Sequence, residues 1–135
     1  MKFYIDGPCT RSYEIKELCD KINSTNHEVI NCQRNKKDCS PLRQKCKGTR
    51  YLPREVSLIL DSDIFIHLSD FEHHENSFYL GVAIGKHLTK GEPFIYVIGE
   101  KNSEQYKHHV IKRIAEFDIA KGLEKVLEDF PGKEE

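Results

Sequence analysis

The sequence has no run of 18 apolar residues, which excludes a membrane-spanning helix of ordinary length. Its opening, MKFYIDGP, turns polar after five positions and lacks the apolar core of a secretion signal. It reads as a strand that starts at once, and the expected compartment is the cytoplasm. No surplus of one charge sign exists. Lys and Arg number 21 and Asp and Glu 22, for a formal charge of -1, so no global attraction to nucleic acid or membrane is implied. A tight cysteine pair, with which structural zinc sites usually begin, is also missing. The five cysteines are Cys9, Cys19, Cys32, Cys39 and Cys46. An odd count argues against a closed disulfide set, and free thiols are the main expectation in a reducing compartment. Cys32, Cys39 and Cys46 recur at intervals of seven, but no fourth metal ligand follows from the spacing, and no paired base marks a catalytic thiol. There is no internal repeat and no low-complexity tract.

What is present fits one globular domain over residues 1–135, with 38% hydrophobic and 32% charged residues. KFYIDG is a strand ending at Gly7-Pro8. Ile15, Leu18, Cys19 and Ile22 have helical spacing, and HEVINC is a short strand. Residues 32–52 form a basic, cysteine-containing excursion without a clean period. A helix led by Pro53 follows, then the strand DIFIHL, a polar loop, a helix over Asn76–Leu88, a turn at Gly91 and the strand FIYVI. The apolar positions Val110, Ile114, Phe117, Leu123 and Leu127 predict a helical tail, as one helix or as two meeting near Gly122. Alternating strands and helices predict an α/β fold, with a mainly parallel sheet of four or five strands and helices on both faces.

The helix after residue 76 carries Gly81 and Gly85, each costing roughly 1 kcal/mol against alanine. Their shared face predicts close packing on a strand and a largely buried helix. The alternative is that its N-terminus faces a ligand. In open parallel sheets ligands sit beyond the carboxyl ends of the strands, and free N–H groups at a helix start favour anions. Asp6-Gly7-Pro8 and Ser69-Asp70 end two strands at that edge. Glu75 and Tyr79, four apart, place a carboxylate and a phenol side by side there. His67, inside its strand, reads as a satisfied interior histidine. Asp63 and Asp61 read as structural residues at the opposite edge.

FYIDGP, LDSDIFIHLSD and FYLGVAIGKHLTKGEPFIYVIG together resemble the nucleoside 2-deoxyribosyltransferase-like superfamily. That group includes deoxynucleotide N-glycosidases and is distantly similar to TIR-like domains. The resemblance spans about Lys2 to Gly99, without residues 32–50. It implies a flavodoxin-like or Rossmann-like three-layer sandwich, a nucleoside or nucleotide substrate, cleavage or transfer at an N-glycosidic bond, no cofactor and no metal. It also implies a homodimer, since members often complete their site across two copies. The superfamily's usual nucleophile is a glutamate two residues before the helix glycine. Here that position is Tyr79, and the superfamily's Gly-Lys-Pro turn is Gly91-Glu92-Pro93. A phenol with a pKa near roughly 10 is a poor nucleophile at neutral pH, although some sialidases use tyrosine. Two readings stay open: Glu75, oriented by Tyr79, replaces the missing acid, or the chain binds a nucleotide without cleaving it. Asp70 corresponds to a sugar- or base-positioning acid, Gly7, Pro8 and Gly81 border the site, and His73 and His74 are available to assist base departure. Cleavage of NAD is a more distant extension.

Arg34, Lys36, Lys37, Arg43, Lys45, Lys47, Arg50 and Arg54 make the segment 34–54 basic, with Asp38 its one acid. Arg50 or Arg54 suits a nucleotide phosphate. The other readings are a protein-interaction module and a nucleic-acid-associated protein acting through 34–54. The lack of stacking aromatics and of overall basic charge makes nucleic acid an unlikely partner.

Overall fold

The computed structural model describes residues 1–7, 12–31, 52–69, 76–99, 108–116 and 118–130. In chain order these form β1 (Lys2–Asp6), α1 (Ser12–Asn23), β2 (Glu28–Val29), α2 (Leu52–Asp61), β3 (Ile64–Leu68), α3 (Asn76–Lys90), β4 (Phe94–Ile98), β5 (Ile111–Ile114) and α4 (Ile119–Asp129). The five strands make one all-parallel sheet in the order β2-β1-β3-β4-β5. This is the flavodoxin-like order, whose direction of winding reverses between β1 and β3.

Alternation along the strands divides the core in two. Phe3, Ile5, Ile64, Ile66, Leu68, Tyr96 and Ile98 face one way, against Leu18, Cys19 and Ile22 of α1 and Ile119, Leu123 and Val126 of α4. Tyr4, Phe65 and Ile95 face the other way, against Ile59 of α2 and Leu80 and Ala83 of α3. Three layers result. The short edge strand β2 is prolonged by a side chain, because Asn31 accepts from Ile5 N at 3.1 Å and donates to Ile5 O at 2.7 Å, copying a ladder pair.

The tail departs from its predicted form. Ile111–Ile114 is not helical but an edge strand, paired from Ile95↔Ile111 to Ile98↔Ile114. A spacing of Val110 to Ile114 suits a helix, but four residues alone do not outweigh an open parallel edge. The helix begins only at Ile119, where Asp118 caps it by accepting from Ala120 N at 2.9 Å. Gly122 lies inside α4, not at a junction. A Cβ there would stand 2.5 Å from Ile98 Cγ2, so this glycine lets α4 lie close on β4.

The close-packing reading of Gly81 and Gly85 is corrected. Both are exposed, and a Cβ at either would meet nothing within 4 Å among the described residues. Nor is α3 largely buried, since Phe78 and Leu88 are 51% and 58% exposed. Nothing among the described residues explains these two glycines. Gly91, with φ +78°, ends α3, and its N–H donates to His87 O at 2.8 Å.

Cys19 departs from the free-thiol expectation: it is buried and disulfide-bonded. Among the described residues no helix is long and apolar enough to cross a membrane, and no group of three or more His, Cys, Asp or Glu could hold a metal ion.

Candidate functional site

Two helices start at the carboxyl edge of the sheet on the same face. The C-terminus of α2 lies at the amino edge, where Asp61 pairs with Lys2 at 3.1 Å, so its first turn points to the carboxyl edge. The chain leaves β3 at that edge and returns along α3 to β4. Tyr4 and Asp6 of β1, and Phe65 and His67 of β3, project toward these helix starts by the period of two. Register pairs Tyr4 with Phe65 and Asp6 with His67.

The polar groups are joined in two units. Tyr4 donates its hydroxyl to Glu55 Oε2 at 2.5 Å, while its ring stacks on Phe65 at 5.5 Å and meets the Tyr79 ring at 6.5 Å. Glu55 lies in the first turn of α2 and is half-buried. Nearer the edge, His67 Nδ1 lies 2.8 Å from Asp6 Oδ2, with the two side chains each 3% exposed. An ionised Asp6 accepts the hydrogen bond from Nδ1–H. Ser69, also buried, donates its backbone N–H to Ile98 O at 2.9 Å and closes the edge toward β4.

The sequence-derived residues are distributed as follows. Tyr79 stands on α3 as a partly buried wall of this region. Arg54 is exposed in the first turn of α2, beside Glu55. Gly7 is buried, but its missing side chain faces the opposite side of the sheet: a Cβ there would lie 2.8 Å from Ile15 Cδ1 and 2.9 Å from Leu68 Cδ1. It therefore lets α1 approach β1. Gly81 belongs to the exposed face of α3 and is not brought to the polar group. Glu75, Asp70, Pro8 and Arg50 lie outside the described residues, as do His73, His74 and nearly all of the basic segment 34–54. Asp63 is structural, accepting from Lys2 N at 2.8 Å.

Sequence reasoning missed Glu55 and Tyr4, and it took Asp6 and His67 one at a time. A signal was available. Asp6 and His67 are polar positions near the ends of two otherwise apolar strands, whereas Glu55, in the first turn of the Pro53-led helix, is joined to Tyr4 only in space. Period alone places the first two at one edge. Only strand order makes them neighbours.

An all-parallel sheet in this order makes the molecule flavodoxin-like, and its ionisable side chains stand at the switch point, the edge where sheets of this kind bind ligands. No family model matches the chain, and no curated protein matches it in sequence. Among solved structures, its fold is similar to that of the CMP N-glycosidase BcmB of Clostridium botulinum, with a TM-score of 0.65, 16% identity, and coverage of 96% of this chain and 100% of that one.

Proposed function

We infer that the chain hydrolyses or transfers the N-glycosidic bond of a nucleoside or nucleotide at the carboxyl edge between β1 and β3. The observation that carries this reading is the concentration of Asp6, His67, Tyr4, Glu55 and Tyr79 at the switch point of a fold shared with a nucleotide N-glycosidase. Breaking a ribosyl–base bond develops positive charge on the sugar, and a fixed carboxylate stabilises that charge or bonds to it. Glu75 takes this role, with Tyr79 orienting it. Asp70 contacts the sugar, and Arg50 and Arg54 bind a phosphate. Glu55, held by Tyr4, is a second acid on the α2 side. Hydrolysis is preferred to transfer because it asks only for water as acceptor.

The test is release of free base, followed by chromatography, from CMP, deoxynucleosides, their monophosphates and NAD. Base release from at least one is expected. Glu75→Gln should lower it by at least 100-fold, and retained activity in that variant moves the role to Glu55, which Glu55→Gln then checks. A second reading, nucleotide binding without cleavage, draws on Tyr79, whose phenol stands where a carboxylate would be needed. Saturable nucleotide binding with no released base would establish it in place of the enzyme.

A further inference from the structure

The geometry points to His67, held by Asp6, as the group that protonates the departing base. This rests on the glycosidase reading above. The pair bridges β1 and β3 at the reversal of the sheet, with Nδ1 to Oδ2 at 2.8 Å and both side chains 3% exposed. Burying a carboxylate and an imidazole is costly, and a well-packed apolar pair of similar volume is often as stable or more so. Everything else that β1 and β3 bury on this face is aromatic: Tyr4 and Phe65. The ionisable pair occupies only the last register position, where a ligand lies in sheets of this order.

The step balances as follows. The C1′–N bond breaks and its electron pair leaves with the base. Nε2 of the His67 imidazolium gives its proton to a ring nitrogen or carbonyl oxygen of that base, and Asp6 holds the ring by Nδ1–H throughout. Water then adds hydroxide to C1′ and returns a proton to Nε2. Nucleotide and water become sugar phosphate and free base, and the dyad ends as it began. Tyr79 and Glu55 are not needed for this transfer, and His73 and His74 are relieved of it.

A base that already carries a fixed positive charge leaves without a proton. Rates are therefore compared for CMP and its N3-methylated cation, and for GMP and 7-methyl-GMP. His67→Gln should lower kcat on the unmethylated nucleotide by 100-fold or more, in the range general acids contribute. It should change KM little and lower kcat on the methylated partner by less than 10-fold. The double variant Asp6→Val/His67→Leu guards against a folding failure and should show the same split. Equal losses on both members of a pair would reduce the dyad to a structural role and overturn the proposal. So would a His67→Gln enzyme within 10-fold of wild type on CMP or GMP. Either result leaves the glycosidase reading standing. Wild-type protein that releases no base from any nucleotide ends both.

Discussion

The two faces of the sheet are cut from alternate residues of the same strands, yet they carry different chemistry. Toward α1 and α4, β1 and β3 present Phe3, Ile5, Ile64, Ile66 and Leu68, an apolar surface from edge to edge. Toward α2 and α3 the same strands present Tyr4, Phe65, Asp6 and His67, aromatic at the middle and ionisable at the carboxyl edge. A well-packed apolar pair in place of a buried ionisable one is often as stable or more so. The contrast places the larger apolar core on the α1/α4 face, and the proposed function places the chemistry at the carboxyl end of the other. Substitutions on the two sides should therefore fail in different ways.

The largest effect is expected at Leu123, fully buried between α4 and the sheet. Leu123→Ala should cost about 2–5 kcal/mol, the transfer term plus that of the cavity left behind. Urea unfolding with an unchanged slope would measure it, and the folded fraction should keep its turnover number. A loss under about 1 kcal/mol, or an altered turnover number at constant folded fraction, would break the division between the faces.

Two glycines give a sharper comparison of intermediate size. Gly122→Ala drives a methyl group to 2.5 Å from Ile98 Cγ2 and should destabilise by roughly 1–3 kcal/mol. Gly85→Ala adds a methyl group where nothing lies within 4 Å among the described residues and should stabilise by up to about 1 kcal/mol through helix propensity. Denaturation midpoints of the two variants should move in opposite directions. Shifts of the same sign would mean that α3 and α4 do not differ as their surroundings indicate.

How far these features could be read from the chain differs by element. The strands KFYID and FIYVI and the helices around Ile15–Ile22 and Asn76–Leu88 announce themselves through period and punctuation, and so does the parallel α/β class. Ile111–Ile114 does not, because a four-residue edge strand offers too few positions to separate a period of two from one of 3.6. Gly81 and Gly85 drew a packing explanation that belongs to Gly122, since a glycine's spacing says nothing about what lies opposite it. The edge was legible as a place: Asp6-Gly7 and the end of β3 were both assigned to it. Its pairings were not. Asp6 and His67 are 61 residues apart and Tyr4 and Glu55 51, and only the strand order and helix directions bring them together.

The smallest effect tests how α4 is fastened to the apolar side. Asp129 accepts from Tyr96 Oη at 2.9 Å and from Lys112 Nζ at 2.5 Å, tying the end of the helix to β4 and β5. The Lys112 bond, and then that of Tyr96, hold the Asp129 carboxyl below its ordinary range. A carboxyl depressed in the folded state stabilises fully above its unfolded pKa, about 3.9, and loses that contribution as pH falls through the folded value. Burial, reinforced by Asp129, pushes the Tyr96 phenol up. Its contribution is complete below the unfolded pKa, about 10, and is lost as pH rises toward the folded value. Stability measured from pH 2 to 11 should therefore decline at both ends through this cluster. Asp129→Asn should narrow its deficit against wild type as the solution is acidified, and Tyr96→Phe should flatten the alkaline decline. Because Asp129 and Lys112 face solvent, added salt should shrink the acid-side difference. A deficit of Asp129→Asn that stays constant across the acid range would show that the charge of Asp129 does not fasten α4, and no deficit at any pH would show that apolar contacts alone hold it.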